Sequence, residues 1–124
     1  MQPTIFIVHD DDAVRASLAF FLETHGWTVS VSCGSTDFLR DYRGKAGCLV
    51  LTQDMQRTNG LACLSALRRG GVRLPAIVRM MLPTAAKRRR AKSLGALLVD
   101  ALSVDVLPDA IRQALDGDPP RNRG

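Results

Sequence analysis

The sequence predicts an α/β fold in which a five-stranded parallel sheet is covered by helices. Two observations lead to this prediction. Five short apolar or β-branched runs alternate along the chain with five segments of helical spacing, which is the pattern of a parallel sheet with crossover helices. Most of these runs also lack a polar face, as expected for strands that are buried on both sides.

The first half of the chain supplies two strands and two helices. Residues 4–8 form a continuous apolar run of strand length, and the acidic residues that follow suit the positive end of a helix. Apolar residues then recur at helical spacing from Val14 until Gly26 ends the helix. Residues 28–32 alternate with a period of two, and we expect Ser35 to cap a short helix after them.

The second half of the chain continues the alternation. Its three apolar runs of strand length are separated by segments of helical length. Glycines follow two of these helices and are expected to end them. The predicted elements, in order, are strand 48–51, helix 61–69, strand 76–80, helix 84–94, strand 96–99 and helix 106–115.

Length and composition fit one soluble domain. The 124 residues can bury a single hydrophobic core, and we expect a domain over residues 1–116 with a polar tail, or the start of a linker, over 117–124. No apolar run approaches the roughly 20 residues that span a bilayer, so a cytoplasmic protein without a membrane segment is predicted. Cys33, Cys48 and Cys63 are widely spaced, which favours reduced thiols over disulfides or a zinc site.

In parallel α/β sheets, ligands bind beyond the carboxyl ends of the strands. Several stretches around these ends resemble a response-regulator receiver (CheY-like) domain of the FixJ-like branch, over residues 4–116. They are IFIVHDDDAVRASLAFFLETHGWTV, GVRLPAIV, SLGA and LPDAIRQAL. The resemblance implies a flavodoxin-like (βα)5 three-layer sandwich with strand order 2-1-3-4-5. It also implies phosphorylation of an aspartate by a histidine kinase with a divalent cation, followed by a change of binding surface.

The same resemblance places Thr52, not Asp54, at the phosphoacceptor position. In the family, methionine, proline and glycine stand at the third, fourth and eighth positions after the acceptor aspartate. Counted from Thr52, the third and eighth positions hold Met55 and Gly60 while the fourth holds Gln56 instead of proline, whereas counted from Asp54 none of the three matches. The spacing back to Gly47 agrees with Thr52.

The other active positions of the family are also changed. His9 and Asp10 stand where the family has two adjacent acids, Met80 replaces the hydroxyl residue, and Leu102 replaces the lysine. The predicted degenerate phosphoacceptor site consists of Thr52, His9, Asp10, Asp11, Met80 and Leu102, with Val99 at the switch position.

Without a carboxylate nucleophile we expect neither acyl-phosphate formation nor enzymatic activity, and Mg²⁺ binding should be weak or lost. The hydroxyl and the apolar side chains are expected to close the vacated pocket, with Met80 filling it, without unpaired charge. No metal or other cofactor is therefore predicted. An alternative is that His9 and Asp10, with Asp54 turned inward, bind a softer ion such as Zn²⁺. Asp11 and Asp12 have the simpler interpretation of capping the first helix.

Basic residues concentrate in the fourth predicted helix. The net charge is +5, and KRRRAK holds five of the seventeen basic residues, Lys87, Arg88, Arg89, Arg90 and Lys92. We expect at least one of them to pack its aliphatic stem against the protein. The helix can be a solvated face, a surface for an acidic partner protein, or a contact for nucleic acid.

The sequence therefore predicts a pseudo-receiver, a signalling domain that regulates transcription through protein–protein interaction without aspartate phosphorylation. Its expected partner is a protein, such as a histidine kinase or another regulator, or a second copy bound through helix four and strand five. The resemblance also implies a LuxR-type DNA-binding domain after such a receiver. Two alternatives remain open: phosphorylation or metal binding at Asp54 or Asp11, and nucleic-acid contact through the basic helix.

Overall fold

The computed structural model describes residues 2–116 and contains a five-stranded sheet flanked by helices. The strands are Thr4–Val8 (β1), Thr28–Ser32 (β2), Gly47–Thr52 (β3), Ala76–Met80 (β4) and Ala96–Asp100 (β5). The helices are Asp12–Thr24 (α1), Ser35–Asp41 (α2), Gly60–Arg69 (α3), Ala85–Ser93 (α4) and Leu107–Asp116 (α5), with a 3₁₀ turn at Val104–Val106. The predicted tail, residues 117–124, lies outside the described residues.

All five strands are parallel, in the order β2-β1-β3-β4-β5. This confirms the predicted fold class and strand order. The register aligns Thr4 with Gly47 and Thr52 with Arg79. A Cβ atom on Gly47 would lie 1.9 Å from the carbonyl oxygen of Thr4, so only glycine fits at the start of β3. The carboxyl ends of β1, β3 and β4 therefore meet at one edge of the sheet.

The sheet separates two hydrophobic cores. Helices α1 and α5 cover one face, where Leu22 and Ile111 are fully buried. Helices α2, α3 and α4 cover the other face, where Leu64 is fully buried. Because side chains alternate along a strand, Ile77 and Arg79 of β4 point towards α1 and α5. None of the described helices has the length and apolar character that crossing a membrane requires.

Two details of the fold differ from the sequence predictions. Ser35 is the first residue of α2, and Gly34 occupies the cap position with no side-chain hydrogen bond. The predicted serine cap is therefore wrong, since the extended backbone that precedes a helix lies one residue earlier. The fourth predicted helix begins at Ala85, because the Thr84 side chain caps α4 by accepting a hydrogen bond from the Lys87 amide.

Two of the three cysteines are buried. Cys48 and Cys63 are 0% and 3% exposed, whereas Cys33 is exposed. All three are free thiols. Burial raises the pKa of Cys48 to about 12 and that of Cys63 to about 11, so these two thiols stay protonated and unreactive at neutral pH.

Candidate functional site

The end of β1 places a buried histidine at the candidate site. His9 is 4% exposed, and its Nδ1 accepts a hydrogen bond from the Asp11 amide at 3.0 Å. Burial lowers the pKa of His9, and the nearby Asp10 carboxylate only partly opposes this effect. The imidazole is therefore neutral at pH 7, with Nδ1 used as an acceptor. A lone pair that already accepts an amide hydrogen is not free to bind a metal.

Asp10 is the one carboxylate of the family pattern that is predicted to remain in this chain. Its side chain links two loops. Its side chain is 8% exposed, and its Oδ2 accepts a hydrogen bond from the Arg57 amide at 2.7 Å. This bond is the main reason why the pKa of Asp10 is lowered. The other oxygen, Oδ1, is buried, lies 3.7 Å from His9 Nδ1, and has no hydrogen-bond partner within residues 2–116.

Asp11 and Asp12 begin α1. Asp11 caps the helix, because its side chain accepts a hydrogen bond from the Val14 amide at 3.0 Å. Asp12 lies in the first turn and forms an ion pair with Arg15. These contacts agree with the simpler of the two interpretations drawn from the sequence, in which both acids serve the helix.

Thr52 ends β3 and lies beside a buried arginine. Its Oγ1 accepts a hydrogen bond from Arg79 Nη1 at 3.4 Å, and Arg79 Nη2 donates to the Ala101 carbonyl at 3.2 Å. Thr52 and Arg79 are 8% and 7% exposed. The guanidinium thus lies next to the hydroxyl at the predicted acceptor position, and it links the ends of β3, β4 and β5.

Arg79 was missed by the sequence reasoning. The signal was visible in AIVRM, where one charged residue interrupts a run that is otherwise apolar and is predicted to be buried. The expectation that a hydroxyl and apolar side chains alone close the site is therefore wrong. A cationic group lies there instead, and burial lowers its pKa. An arginine remains charged in proteins even when its pKa falls.

The loop after Thr52 is held by two residues of different kinds. Gln53 is buried, and its Oε1 accepts a hydrogen bond from the Leu61 amide at 2.9 Å, which satisfies one amide at the start of α3. A Cβ atom on Gly60 would lie 2.7 Å from the Thr52 carbonyl oxygen. The structure thus gives a steric reason for glycine at position 60, the spacing on which the predicted assignment of Thr52 to the acceptor position depends. Asp54 itself is exposed.

The remaining predicted site residues do not converge on Thr52. Met80 is 2% exposed and packs in the core beneath α2, α3 and α4. Leu102 is 72% exposed, so its side chain does not close the site. Val99 is half-buried and packs with the core beneath α1 and α5. The predicted role of Met80 as the filler of the acceptor pocket is wrong, because the alternation of β4 points Met80 to the opposite face from Arg79.

The residues at this edge do not fit a divalent cation. Mg²⁺ requires several oxygen ligands, chiefly carboxylates, and Asp10 is the one buried carboxylate at the site. The neighbouring guanidinium of Arg79 adds a positive charge that repels a cation. Within residues 2–116 no three His, Cys, Asp or Glu side chains cluster closely enough to hold an ion.

The basic side chains of α4 are exposed to solvent. Lys87, Arg88, Arg89, Arg90 and Lys92 are all exposed, and Ala91 is the buried residue of α4. The helix contacts the sheet through the small Ala91, and of the five basic side chains Arg88 lies against the protein, where it lines an apolar groove, in agreement with the prediction that at least one of them packs its stem. In the part of the chain that is described, no ion pair involves these five residues.

An apolar groove runs beside α4. Its volume is about 490 Å³, and its wall includes Arg88 as well as Met81, Leu82, Pro83, Leu98 and Leu102. Leu82 is 86% exposed and adopts a φ of 46°, a left-handed conformation that is uncommon for a leucine. The exposed apolar side chains of the groove thus lie beside Arg88 of the basic helix.

Comparisons with known proteins agree on the family to which this fold and sequence are related. The chain is 37% identical over 75 residues to the transcriptional regulatory protein TdiR of Thauera aromatica, covering 60% of this chain and 33% of TdiR. It is 36% identical over 75 residues to the transcriptional regulatory protein FixJ of Azorhizobium caulinodans, covering 60% of this chain and 36% of FixJ. The matched segment thus spans about a third of each relative. No protein-family model matches the chain.

Solved structures show the same relationship over almost the whole chain. The structure of FixJ-N superposes with a TM-score of 0.76 and 27% identity, covering 94% of this chain and 96% of that chain. The response regulator StyR superposes with a TM-score of 0.72 and 30% identity, covering 94% of this chain and 60% of that chain. Residues 2–116 therefore have the fold of these response-regulator receiver domains, and the chain is similar in sequence to TdiR and FixJ.

Proposed function

We propose that this chain is a pseudo-receiver, which regulates through protein–protein interaction and is not phosphorylated on aspartate. The observation that carries the proposal is the contact between Arg79 and Thr52. The acceptor position holds a hydroxyl, and a buried guanidinium donates a hydrogen bond to it at 3.4 Å. A hydroxyl becomes nucleophilic when a base takes its proton, and a guanidinium that donates to its oxygen does the opposite of activating it, so Thr52 is a poor nucleophile at neutral pH.

The surroundings of Thr52 reinforce this argument. Phosphoryl transfer depends on charge that is positioned around the transferred group, with a metal ion bridging its oxygens. Here one oxygen of Asp10 is engaged with the Arg57 amide, and His9 is neutral and engaged with the Asp11 amide. The other oxygen, Oδ1, has no partner among residues 2–116, but a single carboxylate oxygen falls short of the several oxygen ligands that the cation of an ordinary receiver requires.

The alternative acceptors have weaker support. Asp11 accepts the Val14 amide as the cap of α1, and its use as an acceptor would cost that bond. Asp54 is exposed on the loop between β3 and α3, and its backbone bridges to Asn59. An exposed carboxylate lacks the positioned charges that speed phosphoryl transfer. Binding of Zn²⁺ by His9, Asp10 and Asp54 would require rearrangement of both loops.

The surface formed by α4 and its groove supports an acidic partner protein. Five exposed basic residues lie beside exposed Met81, Leu82 and Leu102, a combination suited to an acidic segment with apolar side chains. Such a partner is a histidine kinase or another regulator. A symmetric dimer through α4 and β5 is the other candidate, but it would bring two strongly basic helices together.

Nucleic-acid contact is the second candidate function, favoured only by the exposure of all five basic residues of α4. Phosphate attraction needs no more than such a patch. We expect a variant with Arg88, Arg89 and Arg90 replaced by Ala to leave DNA affinity unchanged in a gel-shift assay over a range of salt. A fall in affinity together with a shallower salt dependence would favour the nucleic-acid function instead.

The wider context follows from the relatives. TdiR and FixJ are transcriptional regulatory proteins, and the matched segment covers about a third of each. We infer that this chain acts in transcription regulation as part of a two-component pathway, with a LuxR-type DNA-binding domain in the same or a partner polypeptide.

A beryllofluoride titration in the presence of Mg²⁺ tests the pseudo-receiver proposal. Beryllofluoride mimics a phosphoryl group on an aspartate, and amide NMR resonances report its binding. We expect no saturable shift at Asp10, Thr52 or Met80, while an active receiver domain titrated in parallel shows the full response. A saturable shift centred on these amides would overturn the proposal.

A further inference from the structure

A second cavity lies between α1 and the 3₁₀ turn that precedes α5. Its volume is about 340 Å³, and Arg79 forms part of its wall. The other wall residues include Val14, Ser17, Leu18, Phe21 and Val104. This volume lies at the lower end of the range of small-molecule sites, about 300–1,000 Å³. The cavity thus combines an apolar lining with one cationic residue and one hydroxyl.

Arg79 is poorly satisfied inside the protein. A guanidinium has five N–H donors, and Arg79 uses two of its nitrogens in hydrogen bonds of 3.2 and 3.4 Å. Its Nε is buried and has no acceptor among residues 2–116. No Asp or Glu of the described chain forms an ion pair with it. A side chain that is 7% exposed therefore carries a charge without a counterion, which is costly unless something pairs with it.

We propose that this cavity binds a small organic carboxylate whose charge pairs with Arg79 and whose apolar body packs between α1 and the turn at Val104–Val106. The planar guanidinium matches two carboxylate oxygens. The aliphatic and aromatic side chains of Val14, Leu18 and Phe21 favour a hydrocarbon body. An inorganic anion would satisfy the charge but leave this lining in contact with water.

Through Arg79, binding of such a ligand would affect the contacts of Thr52 and Ala101. The same side chain that lines the cavity donates hydrogen bonds to Thr52 and to the carbonyl of Ala101, at the ends of β3 and β5. Pairing of Arg79 with a carboxylate competes with these two long bonds. Ligand binding therefore changes contacts at the sheet edge where an ordinary receiver carries its phosphoryl group.

Amide NMR titrations with benzoate and with benzamide test the proposal, in buffer without Mg²⁺ or a phosphoryl donor. The two probes share an aromatic body, and only benzoate carries a charge. We expect saturable shifts for benzoate at Ala13, Ser17 and Val104, and roughly tenfold weaker binding of benzamide. Equal binding of the two probes, absence of saturable binding, or shifts confined to α4 would each overturn the proposal.

Three variants locate the site. Arg79→Met should weaken benzoate binding by about tenfold or more, since it removes the cation. Ser17→Trp, at an exposed position of α1, should abolish binding by filling the cavity while the fold is retained. Arg90→Met removes an exposed arginine of α4 and should leave the affinity unchanged. If Ser17→Trp binds benzoate like the original chain, the proposed site is wrong even if Arg79→Met cannot be purified.

This inference goes beyond the pseudo-receiver proposal, and the two can fail separately. The beryllofluoride titration reports on Thr52 and the cation site, whereas the benzoate titration reports on α1 and the 3₁₀ turn. A chain that responds to beryllofluoride but not to benzoate would refute both proposals. A response to benzoate alone would support both.

Discussion

Arg68 is half-buried and Arg79 is buried, and the two arginines are used in different ways. Arg68, in α3, donates from Nε to the Leu94 carbonyl at 2.9 Å and from Nη1 to the carbonyls of Val72 and Leu74 at 3.1 and 2.7 Å. Arg79, in β4, makes two longer bonds and leaves Nε without an acceptor among the described residues. Burial lowers the pKa of both guanidinium groups.

The difference separates a structural residue from a site residue. Arg68 joins the end of α3, the loop before β4 and the end of α4, where unpaired carbonyls need donors. Its short bonds go to the partial negative charges of helix ends and turns. Arg79 instead keeps unused donors at the sheet edge where parallel α/β folds bind ligands. An unsatisfied buried polar group in a native protein calls for an explanation, such as a functional role or a bound ligand.

The largest expected effect is that of Arg68→Met. It should lower the free energy of unfolding by about 3 kcal/mol, because three partly buried carbonyls lose charge-assisted donors. Urea denaturation followed by circular dichroism measures the change. Arg69→Met, on the exposed side of α3, serves as the matched control and should stay within about 0.5 kcal/mol. A loss for Arg68→Met no larger than that of the control would contradict the structural role.

Arg79→Met should change the free energy of unfolding in the direction opposite to Arg68→Met. We expect the free energy of unfolding to rise by about 1 kcal/mol, because an apolar side chain replaces a buried charge that lacks a counterion. The same urea series measures it beside Arg68→Met. A destabilisation equal to that of Arg68→Met would show that Arg79 is a structural residue. The proposed difference between the two arginines would then be wrong.

The buried His9 predicts a dependence of stability on pH. The folded-state pKa lies below the ordinary value of 6.5, so as pH falls below 6.5 the unfolded chain takes up a proton before the folded chain does. Stability is therefore constant with respect to His9 above this pH and is lost below it, by at most about 1.4 kcal/mol per pH unit.

Urea denaturation at a series of pH values measures this loss. The variant His9→Asn should show a smaller fall in stability between about pH 7 and pH 5.5. Asp10, whose pKa is lowered, adds stability that is lost only below its ordinary range, near about pH 4. Identical slopes for the original chain and His9→Asn would refute the assignment of a buried neutral imidazole.

Thr52→Val should have the smallest effect. The hydrogen bond from Arg79 is 3.4 Å long, and its loss should cost about 0.5 kcal/mol, less than a well-formed bond. Differential scanning calorimetry detects a change of this size. A cost above about 2 kcal/mol would mean that the Thr52 hydroxyl holds Arg79 firmly, and that the donors of Arg79 are less available than proposed.

Most of the fold was predictable from the sequence. Three strands, at residues 4–8, 28–32 and 76–80, have the predicted bounds, because continuous apolar or alternating runs specify strands directly. The third and fifth strands are longer than predicted, since Thr52 and Asp100 continue the pairing with β4 although they are polar. Local composition cannot show that pairing with a neighbouring strand makes a strand longer.

The candidate site was predictable only in part. The predicted strand boundaries show which residues lie at the strand ends. The role of Asp11 as a helix cap follows from its side chain and its place before the helix. The role of Arg79 depends on register across β3, β4 and β5, which no local pattern contains. The exposure of the basic residues in α4 likewise depends on how that helix docks, through Ala91 near its end.

The most direct test of the central claim is the intact mass of the chain after incubation with acetyl phosphate and Mg²⁺. Acetyl phosphate donates its phosphoryl group to an accessible receiver aspartate without a kinase, and hydroxylamine removes the resulting acyl phosphate. The account predicts an unchanged mass, because Thr52 beside Arg79 offers no carboxylate and no cation site. A gain of one phosphoryl group that hydroxylamine removes would contradict it.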